Sequence, residues 1–182
     1  MFHNYFTMHL IFVGFMGSGK STLGKRIANK IGKPFIDMDV RLEEMFGCSI
    51  SNYIEEFGIE SFRQEESELL RIIMSEQSSV IATGGGTSSS KGAMEWMRKH
   101  GVVVHLSVTP KVLAKRLHGN CENRPLLSEV LPSDLERTIG RQLLVRAASY
   151  SGANTKWDEE EYDDELIDAK LEAIGWRMRE VL

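Results

Sequence analysis

The sequence predicts an α/β chain organised around a mostly parallel sheet. Two observations carry that prediction. Short apolar runs alternate with segments of helical periodicity along the chain. The first of those runs also feeds straight into a glycine-rich loop of the phosphate-binding kind. No internal repeat or low-complexity linker marks a boundary, so residues 1–182 are expected to form one domain with its own core.

Strand one is expected over His9–Val13, and the chain then reads Gly14-Phe15-Met16-Gly17-Ser18-Gly19-Lys20-Ser21-Thr22. Glycine, four residues, then Gly-Lys-Ser is the spacing that turns backbone N–H groups inward on a polyphosphate. A helix must follow directly and add the positive end of its dipole. Leu23, Ile27 and Ile31 mark the buried face of that helix. Gly17, Ser18, Gly19, Lys20, Ser21 and Thr22 are therefore the expected triphosphate contacts. Lys20 would neutralise β- and γ-phosphates, and the Ser21 hydroxyl would ligate Mg²⁺.

The remaining strands are expected over Pro34–Asp37, Ser79–Ala82 and Val102–Leu106, with a weak fifth near Ala153–Trp157. Helices are marked by Ile50 and Ile54, by Leu69, Ile72 and Ile73, and by Ile167, Leu171, Ile174, Met178 and Val181. Residues 118–133 break this rhythm with turn formers, Pro125, Pro132 and one conspicuous arginine, Arg124, and read as a lid.

Ligands of open α/β sheets bind at the carboxyl ends of the strands. Strand two ends in Asp37-Met38-Asp39 and strand three in Thr83-Gly84-Gly85-Gly86, on the same edge as the phosphate loop. If strand two persists, Asp37 and Asp39 face one side. Asp37 would then support Mg²⁺, and Asp39 would accept hydrogen bonds from a substrate hydroxyl and take its proton. A helix N-cap at Asp39 is the plainer role. The triple glycine suggests close approach of backbone to a ligand, a flexible hinge being the alternative. Arg63 and Glu66, at i,i+3, would by default form a surface ion pair, and Arg146 and Tyr150 would pass as ordinary surface residues.

Composition closes off several classes. Hydrophobic residues at 42% and charged residues at 26% are an ordinary globular balance. A net charge of −4 with no basic stretch gives no nucleic-acid footprint, so an anionic substrate needs a local arginine cluster. No apolar run reaches a membrane span, residues 1–8 lack a signal peptide's positive start and cleavage site, and a cytoplasmic monomer is expected. Cys48 and Cys121 have no metal-ligand spacing. The acidic run Asp158–Glu165 reads as a solvated cap on the last helix, His105 and His118 as structural or exposed, and Trp96 and Trp176 as packing residues.

In order and at family-like spacing, Gly14–Thr22, Asp37-Met38-Asp39, Phe62-Arg63 with Glu66, Gly84-Gly85-Gly86, Arg124-Pro125-Leu126-Leu127 and Arg146 four before Tyr150 form a specific pattern: the chain resembles shikimate kinases, over about residues 9–150. The resemblance implies a three-layer α/β/α P-loop kinase fold with a central parallel five-stranded sheet and a mobile lid. It implies transfer of the γ-phosphoryl of ATP to the 3-hydroxyl of shikimate, with Mg²⁺, in the chorismate route to aromatic amino acids. Asp39 then matches the residue that binds the ring hydroxyls and serves as base. Arg63 and Arg146 match the carboxylate-binding arginines, and a guanidinium fork suits a carboxylate better than lysine does. Gly84, Gly85 and Gly86 match the backbone beside the substrate. Arg124 matches the lid arginine that reaches the ATP phosphates and joins Lys20 in catalysis. Ser21 and Asp37 match the Mg²⁺ side. A substrate-binding helical segment is expected over about residues 39–66.

Three features depart from the family pattern. Gly58-Ile59-Glu60 shifts an acid by one position, Gly140 interrupts the helix leading to Arg146, and Ser151–Trp157 is a poor strand sequence on the adenine side. A gluconate kinase, a nucleoside monophosphate kinase, or a catalytically weak ATP-binding paralogue acting as a switch are the rival readings. The paired aspartates, the triple glycine and the two arginines argue against the other kinases. Intact Lys20, Asp39, Arg63 and Arg124 argue against the switch.

Overall fold

A computed structural model describes residues 8–118 and 130–176. The elements run β1 (His9–Val13), α1 (Lys20–Ile31), β2 (Phe35–Asp37), α2 (Met38–Phe46), α3 (Ile50–Ser75), β3 (Val80–Ala82), α4 (Ala93–His100), β4 (Gly101–Leu106), α5 (Pro110–Leu117), α6 (Leu135–Tyr150), β5 (Thr155–Trp157) and α7 (Asp164–Ala173). All five strands are parallel in the order β2-β3-β1-β4-β5. Each of the four strands expected from apolar runs is present within one residue of its expected bounds. The weak fifth forms as well, with Val104 to Leu106 of β4 in register with Thr155 to Trp157.

The strand period of two assigns side chains to the faces. Ile11 and Val13 of β1 pack with Met38 and Leu42 of α2, Leu69 and Ile73 of α3, and Met97 of α4. Leu10 and Phe12 pack on the opposite face with Leu23 and Ile27 of α1 and Ile167 and Leu171 of α7. The sheet is thus the middle of three layers, and the central strands β1, β3 and β4 are largely apolar because both faces are covered. A third cluster gathers Phe15, Leu113, Leu117, Leu135 and Ile139, so the phosphate loop is anchored between α5 and α6.

Helix boundaries correct several expectations. The strand does not persist beyond Asp37: Asp37 itself caps α2, its side chain accepting from the Asp39 N–H, so Asp39 is not the cap. α3 is broken at Gly58, whose φ of 84° and ψ of 162° leave the helical region. Ile72, expected on the buried face with Leu69 and Ile73, is exposed, as is Trp96, while Trp176 is buried. Asp163 caps α7 by accepting from the Leu166 N–H, and α7 ends at Ala173 with Ile174 as its cap. Met178, Val181, Cys121, Arg124 and most of the expected lid lie outside the described residues. Among the described residues, no helix is long and apolar enough to cross a membrane.

Gly140 lies inside α6, where glycine costs helix stability through its backbone freedom. A Cβ there would meet only Pro110 Cγ at 3.8 Å, an ordinary contact. Gly140→Ala should therefore raise stability by about 0.5–1 kcal/mol, read from the midpoint of thermal or urea unfolding. A lowered midpoint would mean that the α5–α6 packing has no room for one methyl group.

Candidate active site

The phosphate loop joins β1 to α1, and Gly19 enters the helix with a φ of 96°, a conformation that side-chain-bearing residues rarely adopt. Lys20 is buried, and its Nζ donates to the carbonyls of Gly14 at 2.9 Å and Phe15 at 3.0 Å, holding the ammonium inside the loop. One residue on, the Ser21 hydroxyl donates to Asp37 Oδ2 at 2.5 Å, while Asp37 Oδ1 accepts from the Asp39 N–H at 3.1 Å. A hydroxyl and a carboxylate side by side at the end of a phosphate loop are hard oxygen donors, the set that suits Mg²⁺ alongside phosphate and water. Among the described residues no group of three or more His, Cys, Asp or Glu side chains could hold a metal.

Asp39 follows on the first turn of α2. Burial pushes its carboxyl up to about 6; Lys20 opposes that shift, and Asp37, Glu66 and Glu43 add to it. Lys20 and Asp39 share a cavity of about 570 Å³ with Gly17, Thr22, Gly85 and Arg116.

The triple glycine stands where the charged groups meet. A Cβ on Gly84 would come within 2.7 Å of Glu66 Oε1 and 2.8 Å of Asp39 Oδ1. On Gly86 it would come within 2.5 Å of the Arg63 guanidinium, and on Gly85 it would touch the Met16 backbone N at 3.4 Å. Close approach is therefore what the glycines serve, and the first bodies to approach are the protein's own side chains. The Gly85 carbonyl accepts from Arg146 Nη1 at 2.8 Å and from the Tyr150 hydroxyl at 3.3 Å.

Neither arginine is the plain surface residue that its spacing suggests. Arg63 pairs with Glu66 at 2.6 Å, but Glu66 is only 1% exposed and its other oxygen accepts from the Thr87 hydroxyl at 2.6 Å. The Arg146 guanidinium lies over the Phe15 ring, 5.1 Å from its centroid. Tyr150 is buried and stacks on His105, with ring centroids 4.4 Å apart. Burial, aided by Lys156 and Lys20, lowers the His105 pKa to about 4, so the imidazole is neutral at physiological pH and fills a structural role.

The sequence singled out neither Thr87 nor Arg116. Arg116 on α5 donates to the carbonyls of Gly17 and Ser18 at 3.3 and 3.4 Å and to Glu160 O at 2.7 Å, tying the phosphate loop to the acidic segment. Its signal was an arginine in the last turn of the helix that runs into the expected lid. The acidic run caps α7 with mostly exposed side chains, as expected, and also makes specific contacts. Arg26 donates to Tyr162 O and pairs with Asp164 at 2.8 Å, and Glu159 pairs with Lys170. Glu160, Glu161 and Tyr162 thereby wall the cavity over the phosphate loop.

With that geometry in hand, the comparisons with known proteins are direct. The sequence pattern of the family described as "Shikimate kinase" matches residues 16–174. The shikimate kinase of Bacteroides thetaiotaomicron is 34% identical over 175 residues, covering 96% of this chain and 98% of its own. A crystal structure of shikimate kinase from that organism superposes with a TM-score of 0.82 at 33% identity, over 92% of this chain and 96% of that one. Shikimate kinase from Acinetobacter baumannii, solved in complex with shikimate, gives a TM-score of 0.84 at 26% identity, covering 96% and 98% of the two chains. A gluconokinase from Sinorhizobium meliloti reaches 0.55 at 19% identity over 94% of each chain, a likeness of fold alone. By a pattern that spans most of its length and relatives a third identical from end to end, the chain belongs to the shikimate kinase family.

Proposed function

We infer that the protein transfers the γ-phosphoryl of ATP to the 3-hydroxyl of shikimate, giving shikimate 3-phosphate and ADP. The observation that carries this is the convergence of Asp39, Arg63 and Arg146 on Gly84–Gly86, one residue contact away from the phosphate loop at Met16. A phosphate-binding loop supplies the donor; a carboxylate beside two guanidinium groups suits an acceptor with hydroxyls on one side and a carboxylate on the other. The Acinetobacter relative, solved with shikimate, supports the same acceptor.

The residues divide the work in a way that phosphoryl transfer needs, since positioning and charge neutralisation dominate that reaction. Gly17 to Thr22 would cradle the phosphates, with Lys20 exchanging its loop carbonyls for phosphate oxygens. Ser21 and Asp37 would hold Mg²⁺, which when bound offsets charge on the β- and γ-phosphates. Arg63 and Arg146 would grip the acceptor carboxylate, Arg146 giving up Gly85 O for it. Asp39 would orient the reacting hydroxyl and take its proton. A carboxyl with a pKa of about 6 is ionised at neutral pH yet more basic than an ordinary aspartate, which suits a general base. Arg124, outside the described residues, is assigned to the phosphates on closure of a lid over about residues 118–133, and closure would keep water from the γ-phosphate. The chain is proposed to act as a single domain in the cytoplasm, and as a monomer.

A coupled ADP-release assay with shikimate, gluconate and AMP side by side tests the reading: turnover should appear with shikimate and stay near background hydrolysis with the other two. Turnover with gluconate or AMP would move the protein to another acceptor, and none with any of the three would favour an ATP-dependent switch.

Asp39→Asn should retain ATP binding by calorimetry and lose about 10²–10⁴-fold in kcat. The same change should stabilise the fold, because an aspartate with a raised folded-state pKa opposes folding whenever it is ionised. That gain, on the order of 1–3 kcal/mol, should be full above about pH 6, shrink as pH falls from there and vanish below 3.8, where the carboxyl is protonated in both states. Urea unfolding of both proteins at pH 7.5 and pH 4 would reveal it. Arg63→Ala should raise KM for shikimate by roughly 10- to 100-fold through loss of a charged hydrogen-bond partner, with KM for ATP little changed; unaltered shikimate kinetics would remove Arg63 from the acceptor site.

A further inference from the structure

Glu66 carries two separate assignments on its two oxygens. Oε2 accepts from Arg63 Nη1 at 2.6 Å and Oε1 from the Thr87 hydroxyl at 2.6 Å. Both Glu66 and Thr87 are 1% exposed, so neither partner is replaceable by bulk water. Thr87 opens the short 3₁₀ turn Thr87–Ser89, immediately after Gly86. Its hydroxyl has one hydrogen, and the short contact with a carboxylate takes it in preference to Gly84 O at 3.2 Å.

The consequence reaches Arg63. That side chain lies against Gly86, yet it also lines an open groove of about 980 Å³ that includes Glu60, three residues earlier on the same helix. A guanidinium at this position therefore has two carboxylates within one helical turn, the buried Glu66 and the exposed Glu60. Glu66 is its ion-pair partner among the described residues, and the Glu66 carboxylate is itself held from behind by Thr87. Without that hydroxyl, Oε1 is left buried and short of its donor, which costs enough to make the carboxylate turn elsewhere.

We propose that Thr87 is a positioning residue for the acceptor: through Glu66, its hydroxyl locks the Arg63 guanidinium in the orientation that receives the acceptor carboxylate. The proposal rests on the reading of Arg63 as a carboxylate-binding residue.

The test compares Thr87→Val and Thr87→Ala, which remove the hydroxyl with and without keeping bulk, against Thr87→Ser, which keeps it. The two hydroxyl-free variants should raise KM for shikimate about five- to twentyfold, the effect of one buried hydrogen bond to a charged group. Their kcat and KM for ATP should stay within about twofold of wild type, and Thr87→Ser should restore the shikimate KM. In an Arg63→Ala background, removing the hydroxyl should add nothing, since the two act in series. Independently of any substrate, ¹⁵N NMR of the Arg63 guanidinium should show faster rotation in Thr87→Val and Thr87→Ala than in wild type and Thr87→Ser. A loss that falls on kcat or on ATP, that persists without Arg63, or that serine fails to repair would overturn the proposal, as would equal guanidinium mobility in all four proteins. Absence of shikimate turnover in the wild type would instead refute the acceptor assignment, leaving the NMR comparison to decide the role of Thr87.

Discussion

Three successive residues without side chains, at the carboxyl end of β3, determine where every charged group around them can stand. Asp39 and Glu66 press on Gly84, Arg146 and Tyr150 close on Gly85, and Arg63 lies against Gly86. The crowding follows from the strand order. β3 lies between β2 and β1, so its end is flanked by Asp37 on one side and by the phosphate loop on the other. A methyl group on Gly84 or Gly86 would displace an ionised side chain that has few other places to go. The glycines thus act less as a hinge than as a floor, flat enough for groups of opposite charge to meet above it.

That floor carries an electrostatic tension. Asp37, Glu66 and Glu43 add to the burial that raises the Asp39 pKa, and Lys20 opposes it from the donor side. Glu66 is stabilised by two short hydrogen bonds, whereas Asp39 is left with a raised pKa. The two carboxylates are neighbours over Gly84 but differ in partners, and that difference suits one to structure and the other to the proposed role of base.

The sequence exposed the architecture well where a residue's own pattern determines its place. β1, the phosphate loop and α1 follow from an apolar run, fixed glycine spacing and a four-residue step. Where the outcome depends on a distant neighbour, the sequence was mute. Thr155-Lys156-Trp157 has little strand character of its own and is a strand because β4 offers an open edge and Trp157 packs edge-on to Phe12. Asp37 and Asp39 were read one structural state too extended, because nothing local reveals that Asp37 turns its carboxylate to both Ser21 and the start of α2. Arg63 and Glu66 have the spacing of a surface pair; the glycine turn and Thr87 packed against them bury its carboxylate half. The acidic run hid its contacts for a similar reason, since Glu160 and Tyr162 accept through their backbone carbonyls, from arginines of α5 and α1.

The third apolar cluster has a different kind of consequence. Leu117, at the end of α5, and Leu135, at the start of α6, share the cluster that holds Phe15 of the phosphate loop. The chain leaving α5 and the chain entering α6 are therefore moored at neighbouring points by apolar packing, Val130 included. With both moorings fixed, doubling the connecting length adds only about 0.6 kcal/mol of closure entropy. Natural or engineered insertions in that stretch can accordingly change its reach and composition while the donor loop, clamped by the same cluster, keeps its shape.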